Sequence, residues 1–279
     1  MSLCLIAIFK NDAHVLEEYV NHYITQGVDK LLLINNGSDD DYLVKLQPFI
    51  NDNTVELITD NRKHANAECY NINYLNKCKD YDWVIVVDLD EFIYARKGFN
   101  TIKEYLITLD DSISNVFVPW KIFGSNDYNQ KQKKNKNGNN QYPESIIKSF
   151  TKRTNYDKDT DLQGVIIHNG VKYDFHKTIT RTKYLNQIGI HTPTTFINNN
   201  ITSDNVKVLE NEPRDFSKID EEIFENSYLH LNRYCIQSYD WFMKTTATRG
   251  HARDPHIDNI RDFYGCSNDI DDLELSIIS

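Results

Sequence analysis

Short apolar runs alternate with helically spaced apolar residues through the first third of the chain. Residues 3 to 9 form a continuous apolar run that stops at Lys10-Asn11-Asp12, which reads as a buried strand entering a polar loop. Val15, Leu16, Tyr19, Val20 and Tyr23 then recur at helical spacing, and Gly27 stands where a C-cap would end the helix. The unit repeats. Residues 30 to 34 make a second run, halted by the polar stretch 35 to 41 and followed by a helix through Leu43, Leu46 and Ile50. Residues 55 to 58 read as a third strand, and 65 to 78 as a helix with Tyr70, Tyr74 and Cys78 on one face. A fourth strand covers 83 to 87. Strands alternating with helices require crossovers, and crossovers make a parallel sheet whose loops gather at the strands' carboxyl ends, where ligands bind.

Beyond Asp90 the pattern loosens. Residues 116 to 120 read as a strand, the Lys/Asn-rich tract 129 to 141 as a mobile loop, and runs near 146–150, 164–168 and 171–176 as small strands. A last helical pattern over 236 to 249 carries Tyr239, Trp241, Phe242 and Met243, and the final dozen residues are acidic and expected to be peripheral. With no repeat and no Ser/Pro-rich linker, 279 residues favour one domain over 1–260, its halves (1–95 and 96–260) marked by where the strand–helix alternation loosens. Residues 261–279 form an acidic tail.

The formal charge of -10 argues against a polymeric nucleic acid as partner, since such binders carry a basic face. Five cysteines, odd in number and without C-x-x-C spacing, suggest neither a disulfide framework nor a zinc site and fit a reducing compartment. No apolar run reaches membrane length. A soluble, cytoplasmic protein is expected, with peripheral attachment to a membrane left open.

Asp88 and Asp90 follow a fully apolar strand and flank a single residue, so an extended turn sends both carboxylates to one side at the strand's carboxyl end. That is the outline of a site for Mg2+ or Mn2+, cations held by one or two carboxylates together with phosphates and water. A lone D-x-D is common as a solvated loop. Here three further loops, at 10–12, 35–39 and 60–62, precede it in the same parallel order, where a nucleotide could span the sheet edge.

Four stretches carry a family resemblance. Residues 8–12 with Glu17, Glu18, Tyr19 and Gly27-Val28-Asp29 resemble an opening K-N-E, helix, G-V-D. Residues 33–38 resemble D-N-x-S or D-D-G-S. Residues 68–71, then Asp82-Trp83 and residues 88–92, resemble A-Y-N…D-W…D-x-D-E-F, the most specific match. Residues 120–125 and 231–250 resemble W-x-x-F-G-S and N-H-Y…K-S-x-E-E…K…R-G. Together these are similar to glycosyltransferase family 2 proteins of the GT-A fold, and most of all to the family 92-like branch.

The resemblance implies an α/β fold with a Rossmann-like, mainly parallel sheet flanked by helices and a smaller acceptor-side subsheet. It also implies a nucleotide-diphosphate sugar donor of UDP or GDP type, Mn2+ or Mg2+, and inverting transfer to a hydroxyl of a glycan, lipid or protein. By position, Phe9, Asp12 and Asn35 would lie near base and ribose, and Asn66 and Asn71 would face the nucleotide edge. Asp88 and Asp90 would approach ribose and metal, with His191, after the stretch 177–181, completing the coordination. Two departures stand out. Asn35 replaces the first acid of D-N-x-S, leaving base preference open, and Arg233 replaces a histidine, keeping a cation that can bind a diphosphate but cannot act as a base.

An inverting transferase needs a base within hydrogen-bond reach of the acceptor hydroxyl. Asp240 is the first candidate by position in the motif, with Asp127 and Glu144 on either side of the polar tract. Trp120 and Phe123 are candidates for an apolar floor beneath a sugar, although packing in the core explains either ring equally well. The remaining histidines share no metal spacing. Two other readings compete: a catalytically silent nucleotide-sugar or glycan binder, prompted by Asn35 and Arg233, and a nucleotidyltransferase, which would usually carry a glycine-rich phosphate loop that this sequence lacks.

Overall fold

A computed structural model describes residues 1–126, 143–157, 176–208, 220–244 and 267–279. Two compact units divide the chain: Met1–Trp120 with Thr160–Leu231, and Lys121–Asp159 with Asn232–Ser279.

The first unit realises the strand–helix alternation. Strands β1 (Leu3–Phe9), β2 (Lys30–Asn35), β3 (Val55–Thr59) and β4 (Trp83–Val86) are separated by helices α1 (Ala13–Thr25), α2 (Tyr42–Asn51) and α3 (Asn66–Tyr74). β1 pairs in parallel with β2 and β4, and β2 with β3. Continuous apolar runs suit these strands because both faces are covered. On one face Cys4, Ile6, Leu32, Ile34, Val84 and Val86 pack with Cys69, Tyr70 and Tyr74 of α3. Leu16, Tyr19, Val20 and Tyr23 of α1 are fully buried, each contributing on the order of 1.5–3 kcal/mol of apolar transfer. α1 ends as its spacing indicates: Gly27 takes φ +87° and the amide of Val28 reaches back to the Tyr23 carbonyl at 2.9 Å. A Cβ there would come within 2.8 Å of Lys103 Cβ.

The helix expected over 65–78 is shorter. α3 stops at Tyr74 and a 3-10 turn occupies Lys77–Asp80, its Cys78 still facing the core. Two elements escaped the periodicity: β5 (Glu91–Ala95), directly after the Asp88–Asp90 turn, and α4 (Ile102–Ile107), whose N-cap Thr101 accepts from the Glu104 amide. At five and six residues, neither is long enough to display a period.

The strand read at 116–120 is β6 (Asn115–Ile122), and β8 (His176–Arg181) lies between β6 and β4, antiparallel to both. The short β11 (Asn200–Thr202) and β12 (Lys207–Val208) extend the sheet to the order β12-β11-β6-β8-β4-β1-β2-β3, and β13 (Leu229–Arg233) pairs with β5 and β6. β9 (Leu185–Gln187) and β10 (Thr194–Thr195) form a separate two-stranded ribbon.

Within the second unit, the strand expected near 146–150 is instead the helical turn α5 (Ile146–Ser149), because Ser145 accepts from the Lys148 amide and caps it. β7 (Lys152–Arg153) pairs with β14 (Ile270–Asp271), and a final helix follows at Glu274–Ile278. The acidic terminus is therefore built into this unit: Asp272 accepts from Lys121 at 2.9 Å and from Arg153 at 2.7 Å, all three side chains buried. The helical pattern over 236–249 is realised at Tyr239–Lys244; residues 245–249 lie outside the described residues, as do 129–141, 164–168 and 171–175. Cys4, Cys69, Cys78 and Cys235 are free and buried.

Candidate active site

The carboxyl end of β4 passes into a turn in which the Glu91 amide donates to the Asp88 carbonyl at 3.1 Å. The turn is closed a second time by side chain: Glu91 Oε2 accepts from the Asp88 amide at 2.8 Å. Leu89 points inward, 5% exposed, while the flanking Asp88 and Asp90 are half-buried. One carboxylate oxygen each from Asp88, Asp90 and Glu91 lie within 4.8 Å of one another. All three donors are hard oxygens, the set that suits Mg2+ or Mn2+ rather than a thiophilic metal.

Two helical tyrosines brace the turn from beneath. Tyr19 OH donates to the Val87 carbonyl at 3.4 Å, and Tyr23 OH donates to the Glu91 carbonyl at 2.8 Å while accepting from the Ile93 amide at 3.1 Å. Burial pushes the phenols of Tyr19, Tyr23 and Tyr70 well above their ordinary range, and the negative charge of Asp88 and Glu91 pushes them further. They remain protonated, rigid walls.

A lysine holds the turn from the side. β8 pairs with β4 through Trp83↔Arg181, Val84↔Thr180 and Ile85↔Ile179, and Lys177 lies in β8 two residues beyond that register, toward the carboxyl end of β4. From there its ammonium, wholly buried, donates to Asp88 Oδ2 at 2.9 Å and to the Ile190 carbonyl at 3.1 Å, and lies 3.3 Å from Glu91 Oε2. Thr178 Oγ1 donates to the His191 carbonyl at 2.6 Å, so consecutive β8 residues grip the segment carrying His191. The His191 ring meets the Trp120 ring edge-on at 5.3 Å, and its Nδ1 is 3.2 Å from the His176 carbonyl. His191 is not among the groups within 4.8 Å of one another at the turn. His176 stays neutral, pushed down to about 3 by burial and then by the charges of His191 and Lys177.

The neighbouring loops are knitted together at the same sheet edge. Phe9, Asn35 and Thr59 stand in one row of the parallel register. Phe9 is 3% exposed and meets Tyr42 edge-on. Asn11, at φ +56°, donates its amide to Ser38 Oγ and receives the Asp39 amide on its side chain, both at 2.9 Å. Asp12 accepts from the Lys10 amide at 3.3 Å. Asn35 Oδ1 accepts from the Ser38 amide at 2.8 Å, so the amide that replaces an acid here shapes the β2–α2 loop. Asp60 is held far below the usual carboxylate range by Arg62, which outweighs burial, with Asn73 adding to the effect.

Asn66 opens α3 and is half-buried. Asn71 makes a two-way clamp on the backbone of Ile188, donating to its carbonyl at 2.8 Å and accepting from its amide at 2.9 Å. In the second unit, Phe123 is 1% exposed with its ring tilted against Tyr234, and its amide donates to the Arg233 carbonyl. Asp240 sits half-buried in the first turn of the helix Tyr239–Lys244, and Glu144 is exposed just before α5. Asp127 lies outside the described residues. The structure thus adds Glu91 and Lys177, to which the sequence assigned no role. Glu91 had a signal in its adjacency to the motif. Lys177 had none short of the β4–β8 register.

A parallel sheet offers its carboxyl edge to ligands, and the carboxylate turn there supplies oxygen donors of the kind that divalent cations take. The chain belongs to glycosyltransferase family 92, whose model matches residues 1–264, and has the anticipated GT-A α/β architecture, a mainly parallel sheet flanked by helices. Among solved structures it is similar to S. aureus TarS 1–349, with 16% identity over 66% of this chain and 48% of that one and a TM-score of 0.37. The same protein in complex with UDP-GlcNAc matches at 15% identity over 66% of this chain and 46% of that one, with a TM-score of 0.38. The chain thus spans less than half the length of these structures. No curated protein sequence matches it. No helix among the described residues is long and apolar enough to cross a membrane.

Proposed function

We propose that this protein transfers a sugar, with inversion, from a nucleotide-diphosphate sugar of UDP or GDP type to a hydroxyl of a glycan, lipid or protein. The observation that carries the reading is the convergence of Asp88, Asp90 and Glu91 within 4.8 Å at the carboxyl edge of the sheet of a family 92 chain. Mn2+ or Mg2+ held by Asp88 and Asp90, with His191 as a further ligand, would supply Lewis-acid stabilisation of the departing diphosphate.

The chain's own residues do the rest. Phe9, Asp12, Asn35, Asn66 and Asn71 belong to the edge along which base and ribose would lie, and Arg233 supplies a permanent cation for a phosphate. Trp120 and Phe123 stay the candidates for an apolar floor beneath the acceptor sugar, although each ring is buried, at 5% and 1% exposure. The acceptor hydroxyl gives up its proton to a carboxylate, for which Asp240 is the first candidate and Glu144 and Asp127 the others.

Thermal shift with UDP, GDP and their sugar conjugates, with and without Mn2+, tests the donor and metal together, and release of free sugar from the donor tests turnover. Stabilisation by one nucleoside diphosphate that needs both Mn2+ and Asp90 is the expected result. Stabilisation equal with and without the metal, or unchanged in Asp90→Ala, rejects the metal site. Binding without hydrolysis or transfer to any acceptor favours the silent binder.

A further inference from the structure

Lys177 touches two of the three clustered carboxylates, and its burial makes it costly. An ammonium removed wholly from water loses several kcal/mol of hydration and is retained only where its partners are fixed around it. Here they are fixed on three sides: Asp88 Oδ2 at 2.9 Å, the Ile190 carbonyl at 3.1 Å and Glu91 Oε2 at 3.3 Å. Glu91, itself 0% exposed, returns to the Asp88 amide. Asp88 is thereby held at its backbone by Glu91 and at its carboxylate by Lys177, while its side chain keeps 32% of its surface open. Without such a clamp, carboxylates this close would repel one another by roughly 4 kcal/mol per pair at an effective dielectric near 20, and the turn would splay.

We infer that Lys177 is the positioning residue of the carboxylate turn, bridging Asp88 and Glu91 so that Asp88 and Asp90 meet a divalent cation already in place. This rests on the metal-binding reading above and deepens it. The inference separates two opposite expectations. A lysine that merely competes with the cation would, on removal, leave a more negative cluster and tighter metal binding. A lysine that positions the turn would, on removal, leave weaker binding despite the gain in negative charge.

The test titrates the full chain with manganese chloride alone by calorimetry, with thermal melting followed by circular dichroism. Lys177→Met is compared with Lys177→Met/Glu91→Gln, which leaves no member of the buried pair charged and preserves a side-chain oxygen for the Asp88 amide, and with Glu91→Gln alone, which reads the share of any loss that comes from the carboxylate. Binding by the double variant no weaker than by Glu91→Gln overturns the positioning role. At least tenfold weaker Mn2+ binding is expected in both Lys177→Met variants. The double variant is expected to melt within a few degrees of the wild type, so the loss of affinity cannot be assigned to unfolding. Wild-type or tighter binding by the folded double variant overturns the positioning role and leaves the metal site standing. Absence of Mn2+ binding by the wild-type chain itself overturns both.

Discussion

Replacing Asp272 by Ala should destabilise the second unit severely, although the residue stands seven positions before Ser279 in an acidic stretch. Asp272 Oδ2 receives Lys121 Nζ at 2.9 Å and Arg153 Nε at 2.7 Å, and the three side chains are only 8%, 3% and 9% exposed. Removing the anion leaves two buried cations beside each other, with Glu274, 3.4 Å from Lys121 but 33% exposed, a weaker counter-charge. Breaking one side of a buried ion pair costs about 3–5 kcal/mol. That is a large share of the roughly 5–15 kcal/mol by which domains are stable. Asp111→Ala is the matched control. It removes a carboxylate that also pairs with two cations, Arg181 and Lys183, but is 80% exposed, so water screens the pair and its loss should barely move the unfolding midpoint. Urea unfolding followed by circular dichroism and tryptophan fluorescence compares the two. Burial pushes the Asp272 carboxyl up, but Lys121 and Arg153 outweigh it and hold the group below its ordinary value. Its contribution is therefore complete above the unfolded carboxyl's pKa of about 3.9 and is lost as pH falls through the lower folded value. A cost for Asp272→Ala no greater than that for Asp111→Ala would refute the reasoning from burial.

Further outcomes follow from other contacts. His22, pushed down to about 4 by burial, donates through Nε2 to the Ile93 carbonyl at 2.7 Å. Its folded state favours the neutral ring, so its share of stability is whole above about 6.5 and declines as pH falls toward 4; His22→Gln should flatten that part of a stability–pH profile. Asn71→Ala removes both bonds to Ile188 and leaves the buried backbone unanswered, an expected loss of about 1–3 kcal/mol by chemical denaturation. Removal of divalent cations by a chelator should abolish release of sugar from the donor and Mn2+ should restore it, whereas Asp90→Asn should leave activity at least tenfold reduced at any Mn2+ concentration; full activity in the chelated enzyme would contradict the metal role.

The parallel half of the sheet was legible in the sequence because each of its strands is a continuous apolar run bounded by polar loops. Helix α1 was legible to its last turn, since Gly27 is the kind of residue that a positive φ favours. The Asp88–Asp90 turn was equally open to reading, as its two aspartates are separated by a single residue and their direction follows from the strand before them. Antiparallel β8 was not, because residues such as His176, Lys177, Thr178 and Thr180 are buried there by partners far away in the chain, and polar side chains show no apolar period. The C-terminal segment looked peripheral for the same reason: acidity predicts exposure until a lysine and an arginine from distant strands neutralise it. Sequence by itself determined the alternation of strands and helices, the sheet edge they create and the pair of aspartates placed there, all consequences of local spacing. Tertiary structure alone decided that Lys177 and Glu91 hold those aspartates, because a register between strands almost a hundred residues apart is set by packing and hydrogen bonding across the sheet.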